Sequence, residues 1–479
     1  MKRVLFATSE AFPFAKTGGL ADVAGSLPAA FDRSEYDVRV IMPKYGSIPK
    51  EYCEQMRFIC SINVSLGWRN KYCGIFELNY GGVIYYFIDN EFYFSGTTIY
   101  SYIHEDVEKF AFFSKAVLSI LPHIDLKPDI VHCNDWQTGL VPIMLNVLFR
   151  HDSFYSDIKT IMTIHNLRFQ GIWGIAETQD ATGLPNSCFT HDKLEFYGDA
   201  NLLKGGIVYA DHVTTVSNNY MEEIQTPYYG ERLDGLLRAR KDSLTGIVNG
   251  ISYTEYDPTT DNFIYAKYDR RDFPGRKREN KIALQRELGL SPDKKKFLVG
   301  VVSRLTDQKG LPLIEQVMGR FVERDIQLVV VGTGETGYEN MFKYYASQYP
   351  GLISSNILFS NELAHKIYAA ADAFLMPSQF EPCGLSQLIA MRYGAVPIVR
   401  ETGGLKETVI PFNEYSGEGT GFSFKNYDAE EMWNAIQYAR EIYNDRTVWN
   451  SIARRGMAQD FSWEKSAAKY ADLYTELLK

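Results

Sequence analysis

No run of about 18 apolar residues occurs in this sequence, so nothing in it reads as a membrane-spanning helix. Cysteine is sparse. The six (Cys53, Cys60, Cys73, Cys133, Cys188, Cys383) show no C-x-x-C spacing, which argues against a zinc ribbon or a disulfide framework and for reduced thiols in a cytoplasmic protein. A basic surplus is also missing. The formal net charge is -9, and binding a polyanion such as nucleic acid needs clustered Lys and Arg that release counterions. The opening MKRVLFATSEAFPF has too few consecutive apolar residues for a secretory leader. Low-complexity tracts and short-period repeats are absent as well.

What is present is a chain of 479 residues, 45% hydrophobic and 23% charged. Single cores stop growing near about 250–300 residues, so two domains are expected. Aromatics are plentiful, with 32 Tyr and 29 Phe, enough to fill cores and still leave some to stack on a ligand.

Short apolar runs alternate with helical patterns: VLFATSE from Val4, VRVIMP from Val38, DIVHCND from Asp129, TIMTIHN from Thr160 and HVTTVS from His212. Strands that are apolar on both faces belong in a parallel sheet covered by helices on each side. A second series follows, with FLVGVVSRL from Phe297, QLVVVGTG from Gln327, NILFS from Asn356, AFLMPS from Ala373 and VPIVR from Val396. The expected fold is therefore α/β, with two doubly wound Rossmann-like domains facing a deep cleft. Boundaries are expected at 1–246 for the first domain and 247–458 for the second. A helix over 459–479 is expected to pack back on the first domain. The hinge is placed near Asn249 and Gly250, and Asp269 to Lys281 is read as charged, poorly periodic linker. Phe58 to Asn90 alternates with Gly-containing turns and predicts inserted hairpins.

Gly-rich stretches recur behind strands. TGGL stands at Thr17 to Leu20 and again at Thr402 to Leu405. A strand, a Gly turn and a helix aim backbone N–H groups and a positive helix end at the carboxyl edge of a sheet, where phosphate binds. One copy alone reads as a tight turn; two copies at equivalent strand ends point to a pair of ligand-facing edges. QLVVVGTGETG also carries Gly332, Gly334 and Gly337 in G-x-G-x-x-G spacing, with Glu362 beyond the next strand, so an NAD-dependent oxidoreductase is an alternative. Against it, that fingerprint normally opens its domain. SRLTDQKG places Arg304 and Lys309 in a loop after a strand, a charge pair suited to a departing diphosphate. QFEPCGLSQ puts Glu381 in a strand-to-helix turn, with Cys383, Gly384 and Leu385 opening the next helix. No His pair has metal-ligand spacing, and His165 is single.

Taken together, KTGGLADV, HCNDWQTGL, TIHNLRFQG, NLLKGGIVYADHVTTVS, SRLTDQKG, PSQFEPCGLSQ and ETGGL resemble the bacterial glycogen synthase and plant starch synthase family, retaining glycosyltransferases of the GT-B type. The resemblance spans nearly the whole chain and implies glucosyl transfer from ADP-glucose to the non-reducing end of an α-1,4-glucan. It implies no cofactor, no metal, and neither nucleic-acid nor membrane partners. UDP-glucose is the alternative donor, and a carbohydrate-binding protein that has lost the chemistry is the non-enzyme alternative. By resemblance, Lys16, Gly18, Gly19 and Asp22 belong to the donor loop, and Asp135 and His165 to the transferred glucose. Asn249 matches the hinge asparagine, Arg304 and Lys309 the diphosphate pair, Glu381 the essential glutamate, Gly332 and Gly334 the nucleotide pocket, and Thr402, Gly403 and Gly404 the second glycine loop. Departures are Gln379 for Arg, Ser386 for Thr, Lys109 for Arg, Ser252 for Asp and Arg232 for Gly.

For the acceptor, the aromatic-dense stretch Phe87 to Asp106 nominates Tyr100 and Tyr102, whose rings offer a stacking face with a polar tip. Asp135 and Glu381 are the only two carboxylates nominated as a pair that could flank a sugar.

Overall fold

The computed structural model describes residues 1–96, 98–101 and 105–479. Two compact units divide the chain, one formed by Met1–Val216, Met221–Gly250 and Trp463–Lys479, the other by Ser217–Tyr220 and Ile251–Ser462.

The N-terminal unit is built on a nine-stranded sheet. Its strands are β1 (Lys2–Ala7), β2 (Tyr36–Pro43), β3 (Arg57–Leu66), β4 (Arg69–Tyr80), β5 (Val83–Asp89), β6 (Ile130–Asn134) and β7 (Lys159–Ile164), then, after a small three-stranded sheet of β8 (Ile172–Gly174), β9 (Glu195–Phe196) and β10 (Asp199–Asn201), β11 (His212–Thr215) and β12 (Leu244–Gly246). The large sheet runs β12-β11-β7-β6-β1-β2-β5-β4-β3. From β12 to β5 every neighbour is parallel, whereas β3, β4 and β5 are joined by antiparallel pairings, the hairpins expected from the Gly turns. β6, buried at every position, carries the continuous apolar signature of a central parallel strand.

Strand order reverses at β1, which has β2 on one side and β6 on the other. Ligands of open α/β sheets bind outside the carboxyl ends at such a reversal. The helix Trp463–Leu477 closes this unit: Tyr474 Oη lies 2.7 Å from Nδ1 of the buried His132, and Tyr36 Oη donates to the Ala471 carbonyl at 2.9 Å.

The second unit has a six-stranded parallel sheet, β13 (Leu298–Val302), β14 (Gln327–Val331), β15 (Ile353–Asn356), β16 (Ala373–Met376), β17 (Val396–Arg400) and β18 (Phe422–Phe424), ordered β15-β14-β13-β16-β17-β18. Its reversal falls between β13 and β16. The hydrophobic core is continuous from Leu298 and Val299 through Val329, Phe374 and Ile398 to Ile436.

Two expectations fail in this unit. The third strand of the sheet falls on ISSN at Ile353–Asn356, not on NILFS; Leu358 and Phe359 lie beyond it, 45% and 79% exposed. The charged stretch Asp269 to Lys281 is not linker but runs into a helix, Phe273–Glu287, begun by Pro274 in its first turn. Two of its lysines are buried, which hid the amphipathic period. Lys277 Nζ donates to the carbonyls of Tyr368, Ala369 and Tyr393, each at 3.0 Å, satisfying groups that helix ends leave unpaired. Lys281 Nζ pairs with Asp372 at 2.5 Å.

Candidate active site

In the second unit, four loops leave the carboxyl edge and hold one another by backbone contact. The loop after β13 pairs with the loop after β14, as Leu305 N–H donates to Thr333 O at 2.9 Å. Glycine is required at both points of approach: a Cβ on Gly332 would sit 1.8 Å from Ser303 O, and one on Gly334 2.2 Å from Leu305 O. On its other side, the β13 loop meets the β16 loop. Gln379 N–H donates to Gln308 O at 2.8 Å, and Gly310, at φ 75°, passes so close to Pro377 that a Cβ would lie 2.0 Å from that carbonyl.

These contacts bring Lys309 to Glu381. The ammonium lies 2.7 Å from Oε2 of Glu381, and Ser378 Oγ donates to the same oxygen at 3.0 Å. Oε1 has no protein partner among the described residues, so one carboxylate oxygen is fixed and the other is open to a hydroxyl. Glu381 is buried, and its backbone is gripped from behind: Gly404 N–H reaches the carbonyls of Glu381 and Pro382, both at 3.1 Å, while Ser217 Oγ donates to Pro382 O at 2.6 Å. Gly403, at φ 45°, leaves room where a Cβ would be 1.9 Å from Glu381 O. Thr402 is the N-cap of the helix Gly403–Thr408, and its neighbour Arg400, buried, donates to Gln379 O at 2.7 Å. Cys383 is buried. Gly384 (φ 73°) and Leu385 complete the turn, whose carbonyls at Cys383 and Gly384 accept from Gln387 Nε2 at 3.0 and 2.9 Å. Arg304 is exposed and forms no ion pair among the described residues.

The same edge disposes of the dinucleotide fingerprint. Gly332 and Gly334 serve loop packing, a Cβ on Gly337 would meet nothing within 4 Å, and Glu362 is paired with Lys366 at 2.8 Å one turn along its helix. The third glycine thus lacks the close helix–strand packing the fingerprint uses it for, and the acidic residue is held in an ion pair.

In the N-terminal unit, the β1 exit carries Lys16, Thr17, Gly18 and Gly19. Gly18, extended at φ -155°, precedes the helix Gly19–Ser26, and Lys16 Nζ lies 2.6 Å from Asp22 in its first turn. Burial raises the Asp22 pKa against the pull of Lys16. The two TGGL stretches are therefore not conformational copies: the first presents an extended glycine beside a lysine, the second a left-handed glycine beneath Glu381.

Across the strand reversal, β6 delivers Asp135 and β7 delivers His165. Asp135 adopts φ 54°, ψ -176°, a region almost reserved for glycine. It is held there by Asp135 N–H to Thr163 O at 2.9 Å and by His165 N–H to its Oδ1 at 2.8 Å. Burial pushes its carboxyl up to about 7, against the backbone donors of His165 and Asn166. Burial also drives His165 down to about 3, so its ring is neutral. Asn134 Nδ2 donates to Ala7 O at 2.9 Å, which leaves Oδ1 to accept from His165 Nε2–H at 2.8 Å and leaves Nδ1 as an acceptor. Asn249 is buried with Oδ1 unpaired among the described residues.

One titratable residue of this edge had no place in the sequence reading. Glu10 follows β1 directly, and its carboxylate accepts from Thr17 N–H at 2.5 Å and Thr17 Oγ1 at 2.9 Å. It lies near enough to Asp135 to raise that residue's pKa further. The signal was the polar TSE ending an apolar strand. Tyr100, nominated for the acceptor, turns its hydroxyl toward this same cluster, 2.7 Å from Ser9 Oγ. Tyr102 lies outside the described residues. Of the departures, Arg232 has φ 67° beside Glu231 at 46°, a pair of left-handed positions where glycine is the relaxed choice. Lys109 is buried, donating to Ile99 O at 2.6 Å.

Residues 3–239 match the starch synthase catalytic domain family and residues 285–456 the glycosyl transferases group 1 family. A glycogen synthase of Lachnospira eligens is 61% identical over 100% of both chains, and one of Caldicellulosiruptor saccharolyticus 52% identical over 99% of this chain and 100% of the relative. The chain belongs to the glycogen synthase and starch synthase family. Among solved structures, the catalytic domain of Arabidopsis thaliana starch synthase IV, bound to ADP and acarbose, superposes with TM-score 0.92 at 32% identity, covering 100% of this chain and 99% of that one. A sucrose-phosphate synthase of Thermosynechococcus elongatus shares the fold, with TM-score 0.62 at 20% identity over 100% of this chain and 99% of that one. The fold is two-domain GT-B, and the protein is a glycosyltransferase. Among the described residues no helix is long and apolar enough to cross a membrane.

Proposed function

We propose that this enzyme transfers glucose from ADP-glucose to the non-reducing end of an α-1,4-glucan with retention of configuration. The observation that carries the reading is the second unit's carboxyl edge, where the loops that carry exposed Arg304 and the Lys309–Glu381 pair, its glutamate backbone-locked, leave adjacent strands at the reversal. Breaking the anomeric C–O bond leaves added negative charge on a diphosphate. Arg304 and Lys309 neutralise that charge as it develops. Glu381, held by Lys309 and Ser378 through Oε2, offers Oε1 to the sugar hydroxyls. Phe359, exposed beyond β15 on the same edge, supplies a stacking face for a nucleotide base.

In the N-terminal unit, Lys16 adds a cation for the donor phosphates, freed from Asp22 when donor binds. Asp135 and the neutral His165 accept and orient sugar hydroxyls, and the orphaned Asn249 Oδ1 takes a donor hydroxyl. The departing diphosphate receives the proton of the attacking acceptor hydroxyl, so the new bond forms on the face the leaving group vacates. Cations of the protein stand at the phosphates, and the transfer is proposed to need no metal. ADP-glucose is preferred as donor because the solved relative holds ADP. Initial rates with ADP-glucose and UDP-glucose on a maltooligosaccharide primer test this, and a higher kcat/KM for UDP-glucose would overturn the donor assignment.

A further inference from the structure

The β1 exit of the N-terminal unit contains a buried carboxylate that the proposed mechanism does not use. Glu10 is 3% exposed. Its Oε2 accepts both donors of Thr17, the backbone N–H at 2.5 Å and the hydroxyl at 2.9 Å. The Tyr100 hydroxyl lies 2.7 Å from Oγ of the adjoining Ser9. Ser9 is itself fixed, since Tyr45, buried, donates to its carbonyl at 2.8 Å.

Both donors of Thr17 thus converge on one carboxylate oxygen whose burial would otherwise leave it without solvation, and burial does raise its pKa. One of the two is the backbone N–H of Thr17, the residue between Lys16 and Gly18. Without Glu10, that N–H would lose its acceptor, and the extended Gly18 that follows it and precedes the helix would lose its anchor.

We propose that Glu10 is the positioning residue of the Lys16–Gly19 loop, and that Tyr100, tied to Ser9 beside Glu10, acts on donor binding and not as a stacking platform for the glucan. The inference rests on the reading of Lys16 as a donor-phosphate ligand. Glu10 and Tyr100 reach the reaction only through the loop.

The test uses the full-length chain with Glu10→Gln, Tyr100→Phe, Thr17→Val and Lys16→Ala, measuring kcat/KM for ADP-glucose and KM for a maltooligosaccharide separately. Backbone amide exchange over residues 16–20 supplies a readout independent of turnover. Losing one charge-assisted buried acceptor should lower donor kcat/KM about tenfold or more in Glu10→Gln, leave glucan KM within about twofold, and speed exchange at Thr17 and Gly18. Tyr100→Phe should move the same parameters less. Glu10→Gln combined with Thr17→Val should be less harmful than the product of the two, because they share a bond. Normal donor kinetics and slow exchange in Glu10→Gln, with Lys16→Ala impaired, would overturn the positioning role alone. If Lys16→Ala is also unimpaired, the donor reading of the loop falls with it. Should Glu10→Gln fail to fold, Tyr100→Phe and Thr17→Val still decide: a selective rise in glucan KM in Tyr100→Phe would make it an acceptor residue and refute the proposal.

Discussion

Lys309 Nζ sits 2.7 Å from Glu381 Oε2, a charge-assisted bond between two loops that leave adjacent strands where the sheet reverses order. Each partner is largely shielded, so neither can be removed without stranding the other's charge. Lys309→Ala and Arg304→Ala should each lower kcat by about 10²–10³, since charge stabilisation is felt most as the diphosphate departs. Donor KM should change less. Steady-state kinetics check this, and near-normal kcat in both variants would remove them from the mechanism.

Gly403 tests how tightly the Glu381 backbone must be held. At φ 45°, with a Cβ destined for a point 1.9 Å from Glu381 O, Gly403→Ala has to push the glutamate out of place. A fall in kcat of at least about tenfold is expected, with the C-terminal unit still folded; displacing a catalytic group by about 1 Å is worth about 10²-fold. Gly337→Ala, at a site with open space, should be kinetically silent. Equal effects at the two positions would contradict the packing role.

Asp135 combines strain with a raised pKa, and both predict stability gained when it is removed. Asp135→Gly relieves a φ 54° residue and should stabilise the N-terminal unit by about 1–3 kcal/mol while abolishing transfer. For the titration, the folded pKa of about 7 exceeds the ordinary carboxyl value of 3.8. The carboxyl's contribution to stability is therefore fully present below about pH 4 and is lost as pH rises through about 7. Asp135→Asn, which cannot ionise, should gain in Tm relative to the parent as pH goes from about 5 to about 8. Thermal unfolding across that range decides; a constant difference would place the titration elsewhere.

Excess EDTA should leave the rate within about twofold, because the proposed donor site uses Arg304, Lys309 and Lys16 as its cations. Loss of activity restored by Mg²⁺ would show a metal in the donor complex.

How much of this was legible in the sequence depended on whether one residue type had one job. Strands buried on both faces, such as β6 and β14, announce themselves as apolar runs, and with the Gly-rich exits they reveal the two sheets and most loop residues. Lys277 and Lys281 defeated the reading of their helix because each uses its charge inside the protein, on helix-end carbonyls and on Asp372. NILFS looked like a strand because it is an apolar run, yet its Leu358 and Phe359 are exposed beyond the sheet, while the true strand ISSN has one apolar residue in four. Glu10 and the direction of the Tyr100 hydroxyl depend on three segments meeting in space, and no local pattern encodes that.

The most direct test of the central claim follows the new glycosidic bond. The enzyme is incubated with ADP-glucose and a short maltooligosaccharide, and proton NMR records the anomeric configuration of the first linkage formed. The expected product is an α-1,4 bond at the non-reducing end, formed with ADP release and lost in Lys309→Ala. A β-linked product, or release of free glucose in place of chain extension, would contradict it.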